Sequence, residues 1–149
     1  MDVNDKIKII AEYSIEKGTV KPNRKLFVVK SEDVRKIFEK LIERYDLNGF
    51  YVATMVGTDL KDENKIRLDY YVVLLPEEET IVIRTYLPRD NPVIDSLIDI
   101  IPGILPGECE TYDLLGVLFR GNPFLKRGFF VPSELVIEGK FPLRKDSGV

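Results

Sequence analysis

The sequence predicts an α+β fold: a mostly antiparallel sheet with helices on one face, followed by an extended irregular C-terminal tail. Three observations predict it. Two segments with apolar residues at helical spacing precede Asp46, and three β-branched and aromatic runs follow at Phe50–Val56, Ile66–Tyr70 and Thr80–Leu87, joined by short polar turns. From Gly116 onward, Gly and Pro recur too often for a long helix or a clean strand. The organisation this implies is a globular α+β body over 1–105 and a motif helix with an extended docking tail over 106–149.

Taken in order, Asn4 can cap a first helix whose Ile7, Ile10 and Ala11 share one face and which Gly18 can stop. Pro22-Asn23 turns the chain into a short strand, Lys25–Lys30. Ser31 is a suitable N-cap, Glu32 and Asp33 complement the helix dipole, and Val34, Ile37, Phe38, Leu41, Ile42 and Tyr45 follow at helical spacing. Asp46-Leu-Asn-Gly49 ends that helix. The three runs that follow are strands, Asp62–Lys65 and Pro76–Glu79 are solvated turns, and the tight connections predict an antiparallel meander. After Pro88–Pro92, Ile94, Leu97, Ile98 and Ile101 predict an amphipathic helix over Val93–Ile101 that covers the sheet. A last helix, about Glu108 to Leu115, is stopped by Gly116. The predicted order is α, β, α, β, β, β, α, and no internal repeat is visible.

Composition narrows the function. Of 149 residues, 44% are hydrophobic, enough for a real core, and no apolar run reaches the length of a membrane span. Met1-Asp-Val-Asn-Asp5 lacks the basic start and apolar centre of a signal peptide, so the chain is read as soluble and cytoplasmic. A net charge of −3 argues against nucleic-acid binding. With no His and one Cys, the chain holds no zinc site or iron-sulfur cluster by itself, and any redox centre belongs to a partner. The absence of Gln, His and Trp beside 32% charged residues matches a thermophilic bias.

The tail keeps large apolar groups, Leu118, Phe119, Phe124, Phe129, Phe130, Ile137 and Leu143, which is not the composition of a disordered polar segment. It therefore reads as a tail that orders against a partner. The run Glu108-x-Glu110-x-Tyr112-Asp113-x-x-Gly116-x-x-Phe119-x-Gly121-x-Pro123-x-x-Lys126-Arg127, followed by Pro142-Leu143-Arg144-Lys145-Asp146, resembles the signature of the thirty-kilodalton subunit of respiratory NADH dehydrogenase (complex I). The same family supplies a subunit to ferredoxin-linked, membrane-bound energy-converting hydrogenases. A weaker part of the resemblance begins near Leu26, and Asp95-Ser96-Leu97 with Ile101-Pro102-Gly103 is closer to the hydrogenase branch. Cys109, Asn122 and Lys126 depart from the pattern, which usually has Arg, His and Arg there.

The chemical groups in this run favour structure over catalysis. Glu110 and Asp113 lie three apart on a helix face, yet no base, nucleophile or metal ligand accompanies them; acids early in a helix complement its dipole and pair across subunits. Cys109, a lone thiol beside two acids, reads as inert and buried. Tyr112 and Phe119 read as core or interface packing, not as quinone contacts. Lys126-Arg127 and Arg144-Lys145 suit carboxylate pairing on a neighbouring subunit.

The resemblance implies a cofactor-free structural subunit in the peripheral arm of a membrane-bound, ion-translocating respiratory oxidoreductase, of ferredoxin-linked hydrogenase type or of NADH/quinone complex I type. It implies two partners: a large catalytic subunit with a nickel-iron or quinone-reducing site, and a small iron-sulfur subunit that holds the cluster nearest that site. It implies a peripheral place on the cytoplasmic side of the membrane, with contact to the membrane arm only through partners. Glu108, Glu110, Tyr112, Asp113, Gly116, Phe119, Gly121, Pro123, Lys126, Arg127, Pro142, Leu143, Arg144, Lys145 and Asp146 are then the expected partner-interface residues. A stand-alone α+β ligand-binding or regulatory module is the alternative.

Overall fold

The computed structural model describes residues 3–149. Its elements run α1 (Val3–Glu12), β1 (Ser14–Val20), β2 (Arg24–Val29), α2 (Ser31–Tyr45), β3 (Phe50–Leu60), β4 (Lys65–Leu74), β5 (Glu79–Pro88), β6 (Val93–Asp95), α3 (Leu105–Leu115), β7 (Leu118–Arg120) and α4 (Ser133–Ile137). Five strands form one mixed, mostly antiparallel sheet in the order β1-β2-β5-β4-β3; β1 pairs antiparallel with β2, and β2 parallel with β5. The fold class is α+β.

The chain divides into two compact units. The first comprises the chain up to Thr54 together with Asp69–Thr85. Its centre is α2, whose Val34, Ile37, Phe38 and Leu41 are fully buried, as 3.6-residue spacing of apolar side chains requires. Phe38 lies 5.8 Å from Phe50 and 6.0 Å from Tyr70, ring centre to ring centre, both tilted. Asp69 and Arg84, on neighbouring strands, form a forked pair at 2.7 and 3.2 Å.

The second unit comprises Met55–Leu68 and Tyr86–Val149. Ile66, Leu68, Ile94, Leu97, Leu115, Val117 and Phe119 are buried in it. β6 and β7 form a small parallel sheet that pairs Ile94 with Phe119. Gly57 lets α3 approach β3 closely: a Cβ there would lie 2.4 Å from Leu115 Cδ1 and 3.2 Å from Thr111 Cγ2.

Several local expectations need correction. The first helix ends at Glu12, Asn4 lies inside it, and residues through Gly18 belong to β1. That strand is exposed along nearly all its length, so it carries no alternating burial pattern to betray it. Lys30, not Ser31, occupies the cap position of α2. Val93–Ile101 is not a helix. Ser96 Oγ accepts the Ile98 amide at 3.0 Å, and the Ser96 amide donates to Arg120 O at 2.9 Å, so this backbone is held in a strand and turn.

Candidate functional site

The second unit is organised by three buried carboxylates, two of them in the motif helix. Pro106 stands in the first turn of α3, where a missing N–H costs nothing. The helix closes on Gly116, left-handed at φ 81°, whose amide donates to Tyr112 O at 2.8 Å. Between them α3 puts Glu108 and Asp113 inward, both fully buried, and leaves Glu110 exposed.

Asp113 captures the loop that follows β7. Its Oδ1 accepts from Arg127 Nε at 2.9 Å and from the Gly128 amide at 3.0 Å; its Oδ2 accepts from the amides of Phe130 at 2.7 Å and Val131 at 3.2 Å. Burial alone pushes this carboxyl up, but the three amides and the guanidinium outweigh burial and hold it below the usual carboxylate range. Arg127 then donates to Lys140 O and lies 4.0 Å over the Phe141 ring.

Glu108 ties two further turns together. It accepts from Ser96 Oγ at 2.6 Å, Asn122 Nδ2 at 2.9 Å and the Leu97 amide at 2.9 Å. Among the described residues no cationic side chain pairs with it, so neutral donors alone satisfy the carboxylate. Asn122, the departure from the expected His, also accepts the Phe124 amide at 2.8 Å and so shapes the turn at Pro123.

Asp59 of β3 holds the C-terminal Pro142–Asp146 motif. Arg89 grips it through Nε at 2.6 Å and Nη2 at 2.9 Å, and the Lys145 amide donates to it at 2.8 Å. The Arg89 pair lowers the Asp59 pKa against the opposing effect of burial. Arg89 also pairs with Asp146 at 2.9 Å. Arg144 donates from Nε to Leu115 O at 2.7 Å and from Nη1 to Arg89 O at 3.1 Å, and the Leu143 amide reaches Leu114 O at 3.0 Å.

The expected interface residues therefore fall into two groups. Glu108, Asp113, Gly116, Phe119, Arg127, Arg144 and the exposed Asp146 make contacts within the chain, while Glu110, Gly121, Pro123, Lys126, Leu143 and Lys145 have exposed side chains, although the amides of Leu143 and Lys145 are bonded within the chain; Tyr112 and Pro142 are half-buried. Cys109 is buried, and burial with Glu108 beside it pushes the thiol up. Asp59 and Arg89 were not singled out by sequence, and Ser96 was noted only within the run Asp95-Ser96-Leu97, without a role. The hint of Asp59 in the sequence is an acid inside an otherwise uncharged strand, Phe50–Leu60.

Around these anchors stands a series of exposed apolar side chains: Phe124 at 58% exposure, Phe129 at 69%, Ile137 at 86% and Leu143 at 52%. Among the described residues no cluster of three or more His, Cys, Asp or Glu is placed to hold a metal ion, and no helix is long and apolar enough to cross a membrane.

Residues 27–149 match the family described as respiratory-chain NADH dehydrogenase, 30 Kd subunit. A subunit of the NADH-quinone oxidoreductase of Moorella thermoacetica is 27% identical over 139 residues, covering 93% of this chain and 88% of that protein. A subunit of the F(420)H(2) dehydrogenase of Methanosarcina mazei is 27% identical over 131 residues, covering 88% and 80%. A chain of the membrane-bound sulfane sulfur reductase, an archaeal respiratory membrane complex, shares the fold at TM-score 0.78 and 23% identity, covering 96% of this chain and 84% of that one. The match spans the motif helix, its loop and the C-terminal motif, and by it the chain belongs to the 30-kDa subunit family of complex I-type respiratory oxidoreductases and related membrane complexes.

Proposed function

We propose that this chain is a cofactor-free structural subunit in the peripheral arm of a membrane-bound, ion-translocating respiratory oxidoreductase, and that its C-terminal segment docks on a large catalytic subunit and a small iron-sulfur subunit. The carrying observation is the pairing of fixed backbone with exposed apolar side chains: Phe124, Phe129, Ile137 and Leu143 project from a segment whose loop and end are anchored by Asp113 and Asp59. An anchored segment loses little conformational freedom on binding, and an apolar surface of this kind marks a protein contact. Of the expected interface residues, Glu110, Gly121, Pro123, Lys126, Leu143 and Lys145 would meet the partner directly, while the buried ones shape the surface. Iron-sulfur clusters, and nickel-iron in a hydrogenase-type complex, belong to those partners. The ferredoxin-linked hydrogenase type is the first choice and the NADH/quinone type the second, both with the chain on the cytoplasmic side and away from the lipid.

The stand-alone module is favoured by one observation, the internal bonding of the C-terminal segment. It leaves the exposed Phe and Ile side chains without a role. The test is purification of the native complex carrying Phe129→Asp and Ile137→Asp together. Loss of the chain from the complex is expected, with an unchanged melting temperature for the free chain because both side chains are exposed. Full retention of the double variant would overturn the docking reading.

A further inference from the structure

Arg144 is tied down without being neutralised. Its Nε and one Nη1 hydrogen go to backbone carbonyls, those of Leu115 and Arg89, which are neutral acceptors. The remaining three N–H groups of the guanidinium, given five in all, have no partner among the described residues. The two carboxylates that act on it through space, Asp59 and Asp146, are both committed to Arg89, and neither forms an ion pair with Arg144. Burial and the neighbouring Arg89 cation push the Arg144 pKa down, the sign of a charge that lacks its counterpart. The group lines an open cleft of about 400 Å³ with Lys140, Phe141, Asp146, Gly139 and Ser147.

We propose that this cleft is a receptor for one acidic side chain of a neighbouring subunit, whose carboxylate is held by the free N–H groups of Arg144. The proposal rests on the docking reading and adds its specific contact. A guanidinium whose orientation is set in advance by two carbonyls loses little freedom when it takes a carboxylate. Lys140 stands beside it, paired among the described residues with the exposed Glu138 at 3.0 Å, and adds positive potential at the rim. Asp146 lies in the same lining, so the cleft suits a monoanion better than a phosphate dianion. Leu143 at 52% exposure and Ile137 at 86% are exposed in the same segment, as expected where the carboxylate arrives on a protein surface and not as a free ion.

The experiment is zero-length carbodiimide coupling in the native complex, followed by peptide mass spectrometry, on wild type and on Arg144→Lys. The substitution puts an amine where the guanidinium stands, and coupling joins it to a carboxylate only at contact distance. The expected result is one cross-link from the 141–149 peptide in Arg144→Lys, and a weaker one from Lys140 in both proteins, to the same Asp or Glu of another subunit. Arg144→Gln should lower retention of the chain in moderate salt by roughly tenfold or more, as for other buried interface charges left unpaired, while Lys17→Gln, on the exposed strand β1, serves as a control with little effect. Coupling from this peptide only to Asp59 or Asp146, in a complex that keeps the chain and cross-links elsewhere, overturns the receptor but leaves docking standing. Phosphate or phospholipid retained by the wild-type complex and lost in Arg144→Gln, with no such cross-link, overturns it in favour of a small anion. A chain found in no complex overturns both.

Discussion

Asp113 carries more structure than any other single side chain in the C-terminal unit, because one carboxylate accepts from three backbone amides and from Arg127 Nε. Asp113→Asn keeps the shape but replaces an acceptor-only group with one that also presents donors to those amides. The expected loss is about 2–3 kcal/mol of unfolding free energy, read by denaturant titration. Asp113 and Asp59 both have lowered pKa values in the fold, so the unfolded chain takes up their protons first. Their contribution is complete above the ordinary Asp pKa of about 4 and is lost as pH falls through the lower folded values. Unfolding free energy measured against pH should fall along an acid limb in wild type, and the limb should be shallower in Asp113→Asn. An equal slope in both would show that Asp113 titrates normally. Gly116→Ala should cost about 1–2 kcal/mol for its left-handed backbone alone, and more because its Cβ would stand 3.2 Å from the Phe141 ring; a melt unchanged from wild type would contradict this.

At the scale of elements, legibility followed burial. The second helix could be read from Val34 to Tyr45 because its apolar face is buried by sheet residues, and that burial is what enforces helical spacing. Phe38→Ala should therefore cost about 3–5 kcal/mol and be the most damaging large-to-small change on α2; a loss under about 1 kcal/mol would place the core elsewhere. β4 and β5 were legible for the same reason, and β3, with few buried positions, was legible from its aromatic and β-branched residues instead; each runs further than its apolar run suggests. β1 was not, because a strand exposed along most of its length is under no pressure to alternate. Ile94, Leu97 and Ile101 are all buried, but through a short strand and a turn, so apolar spacing reported the burial and misreported the backbone. The deciding groups were Ser96, Glu108 and Arg120, whose bonds join residues far apart in sequence, and no local pattern announces such bonds. Within the motif, Glu108 and Asp113 were legible as residues that matter. Their partners were not, since most are backbone amides, which every position possesses.

For the whole molecule, the question is what orders the last third of the chain. Sequence reasoning made that order conditional on a partner, because Gly and Pro leave few repeating hydrogen bonds there. The structure supplies non-repeating ones: the Gly128, Phe130 and Val131 amides donate to Asp113 and the Lys145 amide donates to Asp59. Each acceptor is a buried, charged carboxylate, and such bonds are worth about 1.5–3 kcal/mol each, roughly twice a neutral one. Apolar side chains for docking can then face outward from a segment that is already ordered. Amide hydrogen exchange on the isolated chain checks this directly. The four amides should exchange at least about tenfold more slowly than a free peptide, since 1.4 kcal/mol is a factor of ten and each bond exceeds that on average. Asp113→Asn should release Gly128, Phe130 and Val131 while leaving Lys145 protected, because that amide answers to Asp59. Peptide-like exchange at all four positions in the isolated wild type, with protection appearing only in the complex, would mean that the partner and not Asp113 orders the segment.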